Sequence, residues 1–308
     1  MTEKILVIKL SALGDFILAL GAMEAIRRHH KGAHITLLTT RNFLDLAQRS
    51  GYFNDIIIDT RPKFYDLQRW HFLFRSLNRG NFTRVYDLQL NERTKIYRRL
   101  FLKPPEWSGV IAGSPLFYPN PGWRNMHAFK RHQEILQLAG IDVRLPDISW
   151  MASDISHFKV KPPYILLIPG SAPAHPEKRW PAIRYGALGL KLMRDGYRVV
   201  VLGTEAEAGV IDRVVKSCPG IIDLSGQTSL EDIVTLARFA SGAVGNDTGP
   251  THLVSLAGCP TVALFCTSAS NPDHSAPVGN AVQIIQADDL RDVSVDVVYK
   301  NFKPRVSA

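Results

Sequence analysis

The segment Gly245–Leu253 reads GNDTGPTHL, and its residue types are those that begin a helix. Glycine, asparagine and aspartate favour a turn, Asp247 or Thr248 can cap a helix, and Pro250 suits the first helical turn. The segment therefore predicts a helix that begins here and runs to Gly258. Because the first N–H groups of a helix lack partners within it, a helix start this polar favours an anionic ligand.

Thr248 and Gly249 stand at the centre of this candidate anion site, since glycine lets the backbone approach a phosphate closely. Asp247 either caps the helix or accepts hydrogen bonds from the sugar of a ligand. His252 lies on the first helical turn and is either a polar contact in the site or a core histidine bonded to backbone. The residue types leave both pairs of alternatives open.

A second candidate phosphate contact lies in residues 168–181, which read IPGSAPAHPEKRWP. Lys178 stands just ahead of a predicted helix, where the helix dipole disfavours a cation unless an anion offsets it. Lys178 is therefore a candidate phosphate ligand, and Arg179 can share that role. Trp180 is interpreted as a packing residue that fixes the loop. An ordinary solvated loop remains the alternative for both cations.

Asp15 follows the turn Ser11–Gly14 at the end of the first predicted strand. A carboxylate there can act as a general base, or it can cap the helix that follows. Gly14 is the only glycine of that turn, so the GxGxxG pattern of a nicotinamide dehydrogenase is absent, and the chain has no GxxxxGK[ST] P-loop.

These candidate residues follow strands in an alternating pattern of strands and helices. The first half contains apolar strand patterns at 4–10, 33–39, 53–59 and 84–90, with a helix pattern at 15–29. After a charged, proline-bearing linker at 159–163, strand patterns recur at 164–168, 198–202, 221–224, 242–245, 261–265 and 282–285, and helix patterns at 182–195 and 229–240.

This alternation predicts an α/β protein with two Rossmann-like domains, each built on a mostly parallel sheet. Ligands of such sheets bind outside the carboxyl ends of the strands. The loops at 11–15, 169–180, 203–207 and 245–252 are therefore expected to face a central cleft between the domains.

Composition fits this interpretation. The 308 residues are 45% hydrophobic and carry a formal net charge of +9, with many of the arginines between residues 61 and 99. This basic half favours an anionic partner, although a solvated basic face is an equal alternative for any single arginine. No stretch resembles a membrane span or signal peptide, so a cytoplasmic location is expected. Cys218, Cys259 and Cys266 are interpreted as buried apolar residues.

The chain resembles glycosyltransferase family 9, the bacterial heptosyltransferases that use ADP-heptose. The resemblance rests on six segments in order, which are KLSALGD at 9–15, RVYDLQLNERT at 84–94, the helix at 127–140, PGSAPAHPEKRWP at 169–181, GTEAE at 203–207 and GNDTGPTHL at 245–253. It implies the two-domain GT-B fold. The implied domains are an acceptor-binding domain at 1–158, a donor-binding domain at 164–290, and a C-terminal segment at 291–308 that packs back on the first domain.

The resemblance also implies a role for each matching residue. Asp15 matches the proposed catalytic base, and Lys178 matches the lysine that contacts the donor diphosphate. These two residues are the implied catalytic residues. Glu207 is implied to bind the donor ribose, although Glu205 is close enough in sequence to exchange roles with it. The implied donor-binding residues are Ser171, Glu207, Asp247, Thr248, Gly249 and His252, and Arg61, Lys63 and Arg93 are assigned to acceptor binding.

The implied reaction is the inverting transfer of heptose, or a related sugar, from an ADP-sugar donor to a lipopolysaccharide core acceptor. It requires neither a metal nor a cofactor, and no DxD-type or histidine-rich cluster argues for one. The expected partners are the donor and an anionic glycolipid or saccharide acceptor, with peripheral contact at the cytoplasmic face of the inner membrane. No nucleic-acid partner is expected, because no recognition motif accompanies the charge.

Departures from the family pattern keep alternatives open. Cys266-Thr267-Ser268 replaces the glycine and proline of an LFGPT-like turn, and Pro173 and Pro176 stiffen the loop that carries Lys178. Another donor sugar, a protein or other polysaccharide acceptor, and a non-catalytic nucleotide-sugar-binding relative therefore remain as alternatives.

Overall fold

The structure, a computed structural model, describes residues 2–305 and leaves out Met1 and residues 306–308. The last three residues of the predicted C-terminal segment 291–308 thus lie outside the described part. The chain divides into two compact units, Met1–Trp150 and Met151–Ala308, so the division precedes the linker pattern at 159–163.

The first unit contains a six-stranded, fully parallel sheet with the order β3-β2-β1-β4-β5-β6. Its strands are β1 (Lys4–Ile8), β2 (His34–Thr39), β3 (Asp55–Ile58), β4 (Arg84–Asp87), β5 (Glu106–Gly109) and β6 (Leu116–Phe117). Four of the five residues of β1 are buried, as expected for a central strand covered on both faces.

The helices of the first unit alternate with these strands. They are α1 (Leu13–His29), α2 (Leu44–Arg49), α3 (Leu67–Arg79), α4 (Glu92–Arg98) and α5 (Ala128–Gln137). Leu73 and Leu77 of α3 pack with Leu6, Val85 and Trp107 in one buried core. The opposite face of α3 remains exposed, which gives this helix a strongly amphipathic character.

The second unit repeats the architecture with a parallel sheet of order β12-β11-β10-β7-β8-β9. Its strands are β7 (Tyr164–Ile168), β8 (Arg198–Val201), β9 (Ile222–Asp223), β10 (Gly242–Asn246), β11 (Thr261–Cys266) and β12 (Val282–Ala287). All residues of β7, β10 and β11 are buried.

The helices of the second unit are α6 (Ala182–Arg194), α7 (Ala208–Ser217), α8 (Leu230–Phe239), α9 (Gly249–Leu256), α10 (Pro272–Ser275) and α11 (Val295–Asn301). Trp180 and Tyr185 lie in the core of this unit, so the interpretation of Trp180 as a packing residue is confirmed. Val298 of α11 and Phe302 just after it belong to the same core. The C-terminal helix therefore contributes to the packing of the second unit.

The sequence patterns predicted most of these elements but missed two strands. The strand β5 reads EWSG and β6 has two residues, so neither presents an apolar run that a sequence pattern can detect. The helix predicted from GNDTGPTHL is confirmed as α9, and Gly258 follows it with a φ of +82°, a conformation that suits glycine after a helix end. All three cysteines are free and buried, as expected.

Within residues 2–305, no helix combines the length and the apolar character needed to cross a bilayer.

His132 on α5 is fully buried in the first unit, and its Nε2 lies 3.2 Å from the carbonyl oxygen of Leu88. Burial, together with the positive charges of Lys9 and Arg131, lowers the pKa of His132 to about 3. A histidine whose pKa is depressed by folding stays neutral in the native protein and takes up a proton on unfolding. Stability is therefore lost as the pH falls from the ordinary histidine pKa near 6.5 towards 3.

We expect His132→Gln to make the free energy of unfolding less dependent on pH. At pH 5 the proton taken up by unfolded His132 should cost the wild type roughly 2 kcal/mol relative to pH 8, a loss that the glutamine cannot incur. Urea unfolding of both proteins at the two pH values measures the difference. His71→Gln, at an exposed position of α3, serves as the control. An equal loss of stability in wild type and His132→Gln would contradict this assignment.

Candidate active site

Strand order determines where a site can form in each unit. In both sheets the order reverses between the first and fourth strands, which are β1 and β4 in the first unit and β7 and β10 in the second. The loops after two such strands leave in opposite directions and open a crevice, the usual ligand position in open α/β sheets. Most predicted site residues follow these four strands.

In the second unit, Lys178 and Asp247 come from the two loops that flank the reversal. Lys178 Nζ donates to Asp247 Oδ2 at 2.7 Å, and the two side chains are 18% and 8% exposed. His252 Nε2 lies 3.7 Å from Asp247 Oδ1, longer than a hydrogen bond but close enough for electrostatic attraction. Three residues predicted from two separate segments thus form one cluster.

The charge of this cluster is fixed by its geometry. Burial alone would raise the pKa of Asp247, but the facing imidazole of His252 and the ammonium of Lys178 outweigh it and lower the pKa to about 2. Asp247 is therefore ionised throughout the physiological range. The depressed pKa contributes stability that is present above the ordinary aspartate pKa and is lost only as the pH falls towards 2.

The N-terminus of α9 lies directly beside this pair. Thr248 is its N-cap residue, and the Thr248 side chain makes no capping hydrogen bond. The Asp247 carboxylate is bonded to Lys178, and its contact with the sugar of a ligand stays a prediction. In the first turn, Gly249 and Thr251 carry backbone N–H groups suited to an anion, whereas Pro250 has none.

His252 is buried, and its Nδ1 has no hydrogen-bond partner among the described residues. The histidine is thus a core residue that faces Asp247, but its Nδ1 lacks the backbone bond that the core alternative supposed, and its contact with a ligand stays a prediction.

Ser171 holds the loop that carries Lys178. Its side chain is buried, and its hydroxyl accepts a hydrogen bond from Arg179 Nε at 2.9 Å and donates to the carbonyl of His175 at 2.8 Å. Arg179 Nη2 also donates to the Ser171 carbonyl. Ser171 and Arg179 are thus engaged with each other, while Lys178 between Glu177 and Arg179 points to Asp247.

Glu207 lies after β8 and borders the same loop. Its Oε2 accepts hydrogen bonds from the backbone N–H and hydroxyl of Thr204 at 2.8 and 2.9 Å. A methyl group added at Gly170 would meet Glu207 Oε1 at 1.7 Å, so the glycine makes room for the carboxylate. Glu205 is exposed, whereas Glu207 is partly buried, and the choice between the two glutamates as ribose ligand stays a prediction.

The unusual turn after β11 is held by side chains rather than by a glycine and a proline. Cys266 Sγ and Ser268 Oγ both donate to the carbonyl of Asp288, at 3.2 and 3.1 Å, and Thr267 Oγ1 donates to the Asp288 carboxylate. The turn is therefore ordered by its contacts with the residues after β12.

In the first unit, Asp15 lies in the first turn of α1, and its Oδ2 accepts a hydrogen bond from the backbone N–H of Ala12 at 3.2 Å. This hydrogen bond supports the interpretation of Asp15 as a capping residue. The carboxylate also faces positive charge: burial lowers the pKa of Lys9 and of Arg131, and the charge of Asp15 opposes both shifts. Asp15 is partly exposed, so it is also reachable by a substrate.

Arg61 and Arg93 are joined through a buried network. Arg93 Nη1 donates to the hydroxyl of Tyr97 at 3.2 Å, and that hydroxyl donates to Asp59 Oδ2 at 2.6 Å. Asp59 Oδ1 accepts from the backbone N–H of Arg61, whose guanidinium donates to the carbonyl of Leu10 at 3.1 Å. Arg61 is therefore tied to the loop that leads to Asp15.

Lys63 and Arg93 line one pocket of about 360 Å³. Its other lining residues are Pro62, Phe64, Tyr65, Trp70 and Ile96. The pocket thus combines two cations with aromatic and aliphatic walls. The sequence assigned the cations to acceptor binding but did not anticipate the apolar surface between them.

Two amides also escaped the sequence analysis. Gln89 Oε1 accepts from the backbone N–H groups of Leu10 and Ser11, at 2.8 and 3.2 Å, and so fixes the loop before Asp15. Asn246 makes a similar link in the second unit. The only available signal was its position, since Asn246 immediately precedes Asp247 at the end of a strand.

Among residues 2–305, no group of three or more His, Cys, Asp or Glu side chains is placed to hold a metal ion. Metal independence itself stays a prediction.

Comparison with known proteins identifies the family. The profile described as glycosyltransferase family 9 (heptosyltransferase) matches residues 123–299, more than half of the chain. The chain belongs to glycosyltransferase family 9. This match covers the whole cluster of the second unit, from Ser171 to His252.

Relatives in family 9 support this assignment. Lipopolysaccharide heptosyltransferase 2 of Salmonella typhimurium is 30% identical over 166 residues, which are 52% of this chain and 47% of the relative. In the curated relatives, the matched parts span only 36 to 47% of their length.

Solved structures extend the likeness to almost the whole chain. A family 9 glycosyl transferase from Veillonella parvula has a TM-score of 0.78 at 21% identity, covering 97% of this chain and 95% of that one. The E. coli heptosyltransferase WaaC solved with ADP-2-deoxy-2-fluoro heptose has a TM-score of 0.72 at 18% identity, covering 96% and 98%. At these identities the likeness concerns the fold, and the predicted GT-B fold is confirmed.

We expect Lys178→Met to raise the pKa of Asp247 from about 2 towards its ordinary value. The ammonium that stabilises the carboxylate is removed, while His252 keeps part of the effect. Carbon-13 NMR titration of the aspartate carboxyl groups measures the change. Lys191→Met breaks a comparable 2.7 Å pair with Asp296 and should leave Asp247 unaffected. If Asp247 titrates identically in Lys178→Met and wild type, the pair does not hold its charge.

Proposed function

We propose that this family 9 member is an inverting glycosyltransferase that transfers heptose from ADP-heptose to an acceptor in the lipopolysaccharide core. The observation that carries the proposal is the cluster of Lys178, Asp247 and the uncapped N-terminus of α9 at the strand-order reversal. The choice of sugar and acceptor is supported by the names of the relatives, one of which was solved with an ADP-heptose analogue.

The donor reacts by losing its diphosphate. As the bond from the anomeric carbon to the ADP oxygen breaks, its electron pair stays on the diphosphate, where negative charge grows. Lys178 and the first N–H groups of α9 can stabilise that charge. Positive charge from the protein then does what a metal does in other transferases, so the proposed reaction needs none.

Asp247, Ser171 and Glu207 complete the proposed donor site in different ways. Asp247 holds Lys178 in place before the donor arrives and can then accept hydrogen bonds from the sugar. The Ser171 hydroxyl either keeps its hydrogen bond to the loop backbone or exchanges that partner for a phosphate oxygen of the donor. Glu207 has one carboxylate oxygen bonded to Thr204 and directs the other towards the loop at Gly170, from where it can accept from ribose hydroxyls.

Asp15 is the proposed general base. The acceptor hydroxyl attacks the anomeric carbon on the face opposite the diphosphate and gives its proton to the Asp15 carboxylate. The new glycosidic bond therefore has inverted configuration. Lys9 and Arg131 place positive charge near this carboxylate.

We expect Asp15→Asn to reduce turnover by roughly 10²–10⁴-fold, the usual contribution of a general base, while the Kd for ADP stays unchanged. The assay is ADP release from ADP-heptose with heptose-deficient lipopolysaccharide, and calorimetry measures ADP binding. Asp45→Asn is the matched control, because Asp45 is also an acidic residue in the first turn of a helix.

The outcomes of this assay separate the alternatives. Acceptor-dependent release that disappears in Asp15→Asn supports the proposal. Donor binding without release from any tested acceptor favours a non-catalytic relative or another acceptor, and full activity of Asp15→Asn excludes this residue as the base.

The acceptor is proposed to bind at the basic pocket of the first unit, where Lys63 and Arg93 can pair with phosphate or carboxylate groups. The pocket continues into an apolar patch, defined here as Phe64, Tyr65, Leu67 and Phe72, whose side chains are between 60 and 88% exposed. Phe64 and Tyr65 belong to both. Arg69 and Arg75 flank Phe72 at helical spacing. An apolar surface bordered by cations suits an anionic bilayer, and we place the enzyme at the cytoplasmic face of the inner membrane.

We expect the double variant Phe64→Ser/Phe72→Ser to reduce binding to phosphatidylglycerol-containing vesicles several-fold, because the patch loses apolar contact with the lipid. Co-sedimentation measures bound protein, and phosphatidylcholine vesicles should bind little. Phe239→Ser removes an equally exposed phenylalanine of the second unit and serves as the control. Equal binding by both variants, or self-association of the wild type that the double variant abolishes, would reject the membrane role.

A further inference from the structure

Asn246 is a fully buried amide at the end of β10 with every hydrogen-bonding position in use. Its Nδ2 donates to the carbonyls of Pro169 and Gly170, at 2.8 and 3.1 Å. Its Oδ1 accepts from the backbone N–H of Trp180 at 3.1 Å and from the hydroxyl of Tyr185 at 2.9 Å. An amide has two donors and two acceptor positions in its side chain, and here all four are paired.

These four bonds join the two loops that flank the strand-order reversal. Pro169 and Gly170 begin the loop after β7, and Trp180 ends the part of that loop that carries Lys178. The backbone of Asn246 leads directly into Asp247 and also accepts from Thr251 Oγ1 of α9 at 2.7 Å. One side chain therefore holds both ends of the lysine loop against the strand that presents the aspartate and the start of α9.

We propose that Asn246 is a positioning residue for the donor site. It sets the separation between Lys178 and Asp247 and holds both against the N-terminus of α9, so that the cation is in place before a diphosphate binds. The inference rests on the proposed function for the identity of the ligand. The geometry itself needs no ligand, because Asn246 acts through the lysine loop and does not need to contact the substrate.

No other side chain reproduces this set of bonds. Aspartate has the same shape, but it loses both donors and places a negative charge against two carbonyl oxygens. Alanine removes the partner of two buried carbonyls and of the Trp180 N–H, and it leaves Tyr185 only its 3.3 Å bond to the Ile168 carbonyl. Each unpaired group costs free energy until the loop moves to satisfy it. Glutamine carries the amide one methylene further, into a fully packed interior. Because Lys178 lies two residues before Trp180 in this loop, relaxation of the loop is expected to displace Lys178.

The first experiment measures the Kd for ADP by calorimetry in wild type, Asn246→Asp and Tyr164→Phe. Tyr164→Phe is the control for lost stability, since it removes a buried 2.7 Å bond to the Leu236 carbonyl elsewhere in the same unit. We expect Asn246→Asp to weaken ADP binding at least tenfold, whereas Tyr164→Phe should bind normally despite a lower Tm. Normal ADP binding by Asn246→Asp would overturn the proposal.

A pH profile adds a signature that general destabilisation would not give. A protonated aspartic acid regains one donor, and carbonyl oxygens facing a buried carboxyl group favour that form. The ADP affinity of Asn246→Asp relative to wild type should therefore rise as the pH is lowered from 8 to 5.5. A constant ratio would contradict a role that depends on the donors of Asn246.

A ligand-free measurement separates failure of this inference from failure of the proposed function. In Asn246→Ala, which adds no charge, displacement of Lys178 should raise the pKa of Asp247 in a carbon-13 NMR titration. If wild type does not bind ADP but Asp247 shifts, the proposed donor is wrong and the positioning role stands. An unchanged Asp247 overturns the positioning role. Should both Asn246 variants fail to fold, Tyr185→Phe removes only one of the four bonds and should give a smaller shift in the same direction.

Discussion

The reversal of strand order at the centre of each sheet is the constraint on which the rest of the structure depends. Parallel strands send all their carboxyl ends to one edge, and the loops after neighbouring strands normally run to the same side. Between β7 and β10 they run to opposite sides, which leaves polar backbone without a covering element. This gap is occupied by Lys178, Asp247 and the first turn of α9. The topology thus leaves space in which the two charged side chains can lie in contact.

The same constraint explains why two opposite charges can lie together in the second unit. A lysine ahead of a helix is unfavourable by itself, and a mostly buried aspartate is costly by itself. Paired at 2.7 Å, each offsets the cost of the other, and the low pKa of Asp247 reports how strongly the pair favours the ionised state. The pair keeps the Lys178 ammonium at the edge of a hydrophobic sheet, where its side chain is largely shielded from water.

Much of this could be predicted from the sequence, because apolar runs such as KILVI and YILLI identify central strands and the motif GNDTGPTHL identifies a helix start. The short strand β5 could not, since Glu106 and Ser108 give it no apolar pattern. Lys178 and Asp247 were each recognisable as ligand candidates from residue type and position. Their contact was not, because it depends on how two loops far apart in sequence return to one point.

Asn246 and Gln89 illustrate a different limit. An amide has no charge and no strong preference for a motif, so its importance becomes visible only when its partners are known. In this structure each bridges the loops beside the reversal of its own sheet, Gln89 through Leu10 and Ser11 and Asn246 through residues 169, 170, 180 and 185.

A carboxamide neither gains nor loses a proton between strongly acidic and strongly alkaline solution. The bonds by which Gln89 holds the loop before Asp15 in the first unit, and those by which Asn246 holds the loop of Lys178 in the second, therefore stay the same at every physiological pH. A lower pH can change the charge of a carboxylate without weakening the hydrogen bonds of the two amides. In each unit, the side chains that carry charge at the candidate site are thus distinct from the amide that holds their loop in place.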